Sequence, residues 1–245
     1  MRIKVISPIT SEAFKRETEE EVKKFASPDL EISTECIEYG AESIESAYDE
    51  ALCTPGIIRL AEKAAIKGYH GIFISCMGDP ALDACRERVD IPVVGPGRVT
   101  MVYAAELAHT FSVVTVLDNV IVLIEDLAKK LGLRDRMASV RTVDLPVLEL
   151  TDKEKLFNSL VEESVAAIEK DRAHAIILGC TGMLGVADRL RDVMLGKGYE
   201  VPVLDPVPVA IKYLENLITL KLSQSKITYM HVAEKERNIW KKLEQ

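Results

Sequence analysis

The chain of 245 residues has few aromatic residues, 5% with one tryptophan, and it has no long apolar run. No segment approaches the ~20 consecutive apolar residues that a transmembrane helix requires. The first apolar stretch, between Met1 and Pro8, is too short for the core of a signal peptide and predicts a β-strand. These absences favour a cytoplasmic protein with no membrane partner.

Basic residues are outnumbered as well. Lys and Arg together count 31 against 39 Asp and Glu, which gives a formal net charge of −8. Nucleic acids and anionic membrane surfaces attract clustered positive charge, so this balance argues against either as a partner. We expect a small-molecule substrate instead, and a homo-oligomeric assembly.

Common site motifs are missing. The sequence has no GxGxxG, GxxxxGK(S/T), HExxH or GxSxG pattern, which leaves no case for a dinucleotide, nucleoside triphosphate, zinc or serine-hydrolase site. The cysteines are odd in number and lack CxxC spacing, which indicates reduced thiols, no metal site and no cofactor. We expect Cys36, Cys53 and Cys85 to be structural, which leaves Cys76 and Cys180 as candidates for chemistry.

What the sequence does contain is a regular alternation of short apolar strands and amphipathic helices, typical of a parallel α/β fold. Two pairs of segments repeat: Gly71–Asp83 matches Ala175–Ala187, and Asp90–Tyr103 matches Glu200–Tyr213. Four strands per half in the same order predict two similar lobes, each with a four-stranded parallel sheet flanked by helices. We expect a pseudo-twofold axis between the lobes and an active site in the cleft between them.

The repeat also predicts the limits of the lobes. The first lobe comprises residues 1–98 and the helix 207–222, which packs back on it, and the second comprises residues 99–206. Residues 223–245 lie outside the repeat and are predicted to form a helical extension used in packing. Their partly amphipathic pattern is formed by Ile227, Met230, Ala233, Ile239 and Trp240.

Cys76 and Cys180 occupy matching positions at the ends of two repeated apolar runs. A parallel sheet places such residues at its carboxyl edge, beside the start of the next helix. Because a helix start lowers the pKa of a thiol, we expect two activated thiols facing one cleft. One could remove a proton from a carbon and the other return one to the opposite face. His70 and His174 precede the same strands, so they are expected at the far edge of the sheet.

Several polar residues precede predicted helices. Asp79-Pro80 fits a helix start, with Asp79 as the cap and Pro80 as the first helical residue. Thr10 or Ser11 is expected to cap the first helix, and Asp152 lies at the start of the sixth. We therefore interpret Asp79 as structural, ahead of a direct influence on the neighbouring cysteine.

Five short segments resemble the aspartate/glutamate/hydantoin racemase superfamily, and most closely its hydantoin racemase branch. The segments are Ser75–Pro80, Phe111–Leu117, Asp144–Leu148, Leu178–Met183 and Pro202–Asp205. The resemblance covers nearly the whole chain up to about Leu222. It implies a cofactor-independent two-base racemase, an isomerase, in which Cys76 and Cys180 are the catalytic acid and base.

The substrate-binding residues expected around this pair are Ser7, Pro8, Met77, Gly78, Arg98, Thr115, Thr181 and Gly182. Two places depart from the family pattern. Hydantoin racemases usually carry Asn-Pro-Asn-Thr-Ser after the first strand, where this chain has Ser-Pro-Ile-Thr-Ser at 7–11. Arg98 stands where an acidic residue is more usual. Its guanidinium could hold a substrate carboxylate, lie on the surface, or pair with Glu106 or Asp83.

Three functions are compatible with these features. The leading hypothesis is racemisation of 5-substituted hydantoins or a related cyclic ureide such as allantoin, which Gly182 favours because amino-acid racemases of the superfamily usually have His there. The second is an amino-acid racemase of the aspartate/glutamate type, or a dicarboxylate isomerase, with the same cysteine pair. The third is a bilobed small-molecule binding protein without catalysis.

Overall fold

A computed structural model describes residues 1–237 and contains two four-stranded sheets in which all neighbouring strands are parallel. The first sheet has the order β2-β1-β3-β4. Its strands are β1 (Arg2–Ser7), β2 (Glu31–Cys36), β3 (Gly71–Ile74) and β4 (Val93–Val94). β3 and β4 are apolar and fully buried, as expected where helices cover a sheet on both faces, whereas the edge strand β2 is mostly polar and only partly buried.

The second sheet repeats the first. Its order is β6-β5-β7-β8, so each strand has a counterpart in the same place in the other sheet. Its strands are β5 (Phe111–Thr115), β6 (Met137–Thr142), β7 (Ile176–Leu178) and β8 (Val203–Leu204). The prediction of two similar parallel α/β lobes is confirmed.

Helices follow the strands along the chain. They are α1 (Lys15–Phe25), α2 (Ala47–Ile66), α3 (Leu82–Arg88), α4 (Pro96–Leu107), α5 (Asp118–Lys130), α6 (Lys153–Glu169), α7 (Ala187–Gly196) and α8 (Pro206–Thr219). Helix α4 packs on β5 and β7 of the second sheet, whereas α8 packs on β3 and β4 of the first. None of the helices within residues 1–237 is long and apolar enough to cross a bilayer.

Of the predicted helix caps, the one at Asp152 is confirmed and the one at Thr10 or Ser11 is wrong. The Asp152 carboxylate accepts a hydrogen bond from the backbone N–H of Lys155 at the start of α6, as expected. The cap predicted at Thr10 or Ser11 is wrong, because α1 begins only at Lys15 and its preceding residue makes no side-chain cap. The intervening segment is held elsewhere, since the N–H of Thr10 donates to the carbonyl of Ala41.

The helix start predicted at Asp79 and Pro80 is also wrong. Asp79 and Ala81 have φ angles of 52° and 57°, in the left-handed region, so a right-handed helix cannot include them. Helix α3 therefore begins at Leu82. Asp79 still caps a helix, but that helix is α4, whose first N–H groups its carboxylate accepts.

Each lobe contributes apolar side chains to the core of the other lobe. Ile9, Phe14 and Met77 belong to first-lobe loops, yet they are buried in the apolar cluster around the second sheet. Leu184, from a second-lobe loop, is buried in the first lobe. It belongs to an apolar cluster on one face of the first sheet that includes Val207. Burial of apolar side chains stabilises this arrangement and fixes the loops that connect the sheets to the cleft.

The helical extension predicted for residues 223–245 is wrong for its described part, because residues 223–237 contain no helix. These residues run over the end of α3 and the edge strand β4. The side chain of Gln224 donates to the carbonyls of Val89 and Ile91, and the ammonium of Lys226 donates to those of Arg86 and Val89. Carbonyls at a helix end need such partners, which explains the extended path. Ile239 and Trp240 lie outside the described residues.

Candidate active site

Cys76 and Cys180 line one cleft between the lobes. Each follows the carboxyl end of its strand, β3 or β7, so the two parallel sheets bring both to the same place. The cavity within the cleft is small, about 50 Å³. Its lining comes from both lobes and consists of Ser7, Pro8, Ile9, Phe14, Thr18, Ile44, Ser75, Cys76, Val147, Cys180, Thr181 and Gly182.

The two cysteine turns have the same backbone pattern. The N–H of Asp79 donates to the carbonyl of Cys76 at 3.0 Å, and the N–H of Met183 donates to that of Cys180 at 3.1 Å. Each sulfur also accepts a backbone hydrogen bond from the glycine two positions on. Gly182 donates to Cys180 Sγ at 3.3 Å, and Gly78 donates to Cys76 Sγ. These donors favour a thiolate when one forms.

The surroundings nevertheless raise the pKa of both thiols. Burial in the cleft raises the pKa of Cys180 to about 11, and that of Cys76 further, where the nearby Cys180 sulfur adds to the effect. The prediction that helix starts would lower these pKa values is wrong. Helices α3 and α7 begin only at Leu82 and Ala187, so neither cysteine lies in a first helical turn. Both groups are therefore thiols at neutral pH in this structure.

Thr181 links the two turns across the lobe boundary. Its hydroxyl donates to the carbonyl of Ser75 at 3.0 Å, directly before Cys76. Thr181 itself directly follows Cys180, so one hydrogen bond joins the chain segments that carry the two sulfurs. The Thr181 side chain is thus occupied with positioning, while the residue still lines the cleft.

One wall of the cleft is apolar. Ile9, Phe14, Ile44 and Val147 line it, and Ile9 occupies the position where hydantoin racemases usually have the second Asn of their motif. Three members of this wall, Phe14, Ile44 and Val147, were not predicted to line the site. All three lie outside the strand ends and the repeat, and only Val147 belongs to a segment, Asp144–Leu148, that resembles the racemase family. Ser7 and Pro8, in contrast, line the cleft.

Three predicted substrate-binding residues lie behind the cleft. Met77 is buried in the second-lobe core, and Thr115 is buried with its hydroxyl donating to the carbonyl of Gly179 at 3.1 Å. Gly78 lines a separate cavity, in which an added Cβ would lie 3.8 Å from a Glu50 carboxylate oxygen. These residues contribute to the shape of the site, but they are absent from the lining of the cysteine cleft.

Arg98 also faces the separate cavity. Its Nη2 lies 2.8 Å from Asp83 Oδ1, so of the possible roles the ion pair with Asp83 is the one found. The residues that line the cysteine cleft within 1–237 carry no charge at all. No cationic side chain therefore lines the cleft, and the nearest charge effect on Cys180 from a cation is that of Lys153 through space.

The described residues contain no cluster of side chains suited to a metal ion. Within residues 1–237 no group of three or more His, Cys, Asp or Glu side chains is arranged to hold a metal ion. His70 lies at the start of the first sheet, where its Nδ1 accepts a hydrogen bond from the N–H of Arg2 at 3.0 Å. His174 lies at the corresponding edge of the second sheet, where its backbone N–H donates to the carbonyl of Thr110. Neither can reach the cysteines.

Comparison with known proteins agrees with this geometry. The Asp/Glu/Hydantoin racemase family matches residues 3–214, and the chain belongs to this family. A hydantoin racemase from Pseudomonas sp. (strain NS671) is 39% identical over 238 residues, 96% of this chain and 94% of that protein.

The similarity extends to solved structures. The allantoin racemase from Klebsiella pneumoniae is 33% identical with a TM-score of 0.92, over 99% of this chain and 98% of that one. The allantoin racemase from Pseudomonas fluorescens is also 33% identical, with a TM-score of 0.90 over 97% and 99% of the two chains. With such relatives, the protein is an isomerase, a racemase, rather than a binding protein without catalysis.

Proposed function

We propose that this racemase interconverts the enantiomers of 5-substituted hydantoins or a closely related cyclic ureide, without a cofactor, by proton transfer between Cys76 and Cys180. The observation that carries the proposal is the meeting of two matching cysteine turns at one uncharged cleft. The relatives named hydantoin racemase and allantoin racemase support the same substrate class.

The proposed reaction needs one thiolate and one thiol. The thiolate takes the proton from the stereogenic carbon, an S–H bond forms, and the C–H electron pair moves into the adjacent carbonyl as an enolate. The other thiol then gives its proton to the opposite face of that carbon and becomes the thiolate. The N–H groups of Gly78 and Gly182 stabilise whichever sulfur is charged.

The uncharged lining favours a cyclic ureide over an acidic amino acid or a dicarboxylate. A buried carboxylate without a cation or enough hydrogen-bond donors carries a large desolvation penalty. Arg98, the cation considered for this role, is paired with Asp83 outside the cleft. The apolar wall formed by Ile9, Phe14, Ile44 and Val147 suits a hydrocarbon substituent on the ring.

A direct test follows the stereogenic hydrogen. A single enantiomer of 5-benzylhydantoin in deuterium oxide should lose optical rotation and gain deuterium without any added cofactor. Cys76→Ala and Cys180→Ala should each lower racemisation at least ~100-fold, because each removes one proton carrier. Cys85→Ala is the matched control, since Cys85 is fully buried away from the cleft.

The outcomes separate the hypotheses. Full racemisation by either single cleft variant would contradict the two-base assignment. Racemisation of free aspartate or glutamate with none of hydantoins or allantoin would favour the amino-acid racemase instead. A faster reaction with 5-benzylhydantoin than with allantoin would support a hydrocarbon-binding wall.

A further inference from the structure

A buried carboxylate connects the Cys76 turn to the start of α4. Asp79 is 6% exposed. Its Oδ1 accepts the N–H of Gly97 and its Oδ2 accepts the N–H of Arg98, each at 2.8 Å. These N–H groups belong to the first turn of α4 and have no partner within the helix. Asp79 thus does for α4 what a capping residue normally does from the position just before a helix.

Two glycines make room for this contact. A Cβ on Gly95 would overlap the Asp79 carboxylate, and a Cβ on Gly97 would overlap the carbonyl oxygen of Met77. Residues 77–79 therefore lie directly against the start of α4, at a distance that only glycine permits. The Cys76 turn is closed by the Asp79 N–H, so the carboxylate and the turn belong to the same short segment.

The second half of the molecule solves the same capping problem differently. In the sequence repeat, Met183 stands in the place of Asp79, and Asp205 stands in the place of Gly95. Asp205 caps α8 from the ordinary position, where its Oδ1 accepts the N–H of Val207 at 2.9 Å. The Cys180 turn therefore has no carboxylate connection to a helix start.

This difference shows that the cap of α4 and the placement of the Cys76 turn need not come from the same residue. A carboxylate at position 95 would be enough to cap α4, as Asp205 shows for α8. With the carboxylate at Asp79 instead, the cap also fixes the turn that carries Cys76. Because α4 packs on the second sheet, the connection crosses the lobe boundary towards the half that carries Cys180.

We propose that Asp79 is a positioning residue that holds Cys76 in place opposite Cys180 by tying its turn to the first turn of α4. The proposal rests on the proposed two-cysteine function. Asp79 does not line the cleft, so it acts through Cys76 and not on the substrate. Cys180 is held without such a connection, so loss of Asp79 affects one of the two proton transfers.

The first experiment compares Asp79→Asn with Asp205→Asn. Asn tolerates the left-handed backbone at position 79, but its NH₂ group cannot accept one of the two N–H groups. We expect Asp79→Asn to lower racemisation at least tenfold while one enantiomer still exchanges its hydrogen with deuterium oxide. In that case Cys180 removes and returns the proton on its own face. Asp205→Asn removes the carboxylate charge at the start of α8 but keeps an oxygen for its single cap hydrogen bond, from the N–H of Val207, and should racemise at the wild-type rate.

The second experiment moves the cap. The double variant Asp79→Gly with Gly95→Asp copies the arrangement at Met183 and Asp205, and the space that Asp at 95 needs is the space that Asp79 vacates. We expect it to recover most of any melting temperature lost by Asp79→Asn, but not the racemisation rate. Wild-type racemisation by the double variant, or equal losses in Asp79→Asn and Asp205→Asn, would overturn the proposal.

A third measurement does not depend on turnover. Iodoacetamide labelling, resolved by peptide mass spectrometry, should show a changed rate at Cys76 and an unchanged rate at Cys180 in Asp79→Asn. An unchanged Cys76 rate would overturn the proposal. If the wild-type protein racemised no hydantoin, the proposed function would fail, and the labelling rates would still decide whether Asp79 positions Cys76.

Discussion

At the scale of single residues, the proposed chemistry depends on two sulfur atoms whose surroundings oppose ionisation. Burial raises the pKa of both Cys76 and Cys180, and the N–H groups of Gly78 and Gly182 donate to the sulfurs. An environment that excludes water disfavours the free thiolate, but it strengthens the hydrogen bonds that stabilise charge during the reaction.

The raised thiol pKa values predict how the rate depends on pH. Because the base form is the thiolate and Cys180 has a pKa of about 11, kcat/KM should rise about tenfold per pH unit between pH 6 and 9. Initial rates of optical rotation loss, corrected for the uncatalysed reaction at each pH, measure this slope. A plateau near neutral pH would instead indicate a thiolate already formed in the free enzyme.

At the scale of elements, the segment 223–237 supplies hydrogen-bond partners to backbone groups at the end of α3 and beside β4. Lys226 donates to the carbonyls of Arg86 and Val89 at the end of α3, and Gln224 both donates to Ile91 and accepts from the N–H of Val93. Positive charge at a helix carboxyl end is also favourable to the helix dipole. This segment therefore stabilises the helix that follows the Cys76 turn.

Removal of the Lys226 ammonium should weaken this end of the first lobe. Lys226→Ala leaves two carbonyls without a charged donor, for which we expect a loss of about 1–2 kcal/mol in the free energy of unfolding. Urea denaturation measures the loss. Lys235→Ala is the control, because Lys235 is exposed farther along the same segment. Equal stability of the two variants would show that the contact contributes nothing.

At the scale of the whole molecule, the lobes are joined by side chains that cross between their cores. Phe14 and Met77 enter the second-lobe core from the first lobe, and Leu184 enters a first-lobe core from the second. The hydrogen bond from Thr181 to Ser75 and the ion pair between Lys130 and Asp83 add polar contacts across the same boundary. The cleft is therefore held by both lobes together.

The buried thiols give the whole molecule a predicted sensitivity to alkali. Burial raises the pKa of Cys85 to about 12 and that of Cys180 to about 11, with Cys76 higher still, from an ordinary value of 9.0. Above pH 9 the unfolded chain loses these protons while the folded protein keeps them. The stability contribution is complete below pH 9 and is lost as the pH rises towards the folded pKa values.

The expected slope is about −1.4 kcal/mol per pH unit for each of these three thiols once the unfolded thiols are ionised. Urea denaturation at a series of pH values from 8 to 10.5 measures it. Cys85→Ala removes one of them without touching the cleft and should make the slope less steep by about 1.4 kcal/mol per pH unit. An unchanged slope in this variant would contradict the assignment to thiols.

Local patterns were sufficient for the fold and for the two cysteines. The short apolar runs before Cys76 and Cys180 predicted buried strands, and the repeat of their surroundings predicted two sheets of the same order, which the structure contains. Parallel strands of the same order place both cysteines at carboxyl edges, whatever the details of the loops. The sequence by itself therefore determined the architecture and the meeting of the two turns.

The long-range contacts were decided by the tertiary structure. Phe14, Ile44 and Val147 reach the cleft from loops whose path depends on the packing of both lobes. The carboxylate of Asp79 caps α4, because the left-handed backbone at Asp79 directs the chain away from α3 and Gly95 leaves space beside α4. Hydrogen bonds to helix ends and burial of thiols depend on which segments meet in space, which sequence spacing does not specify.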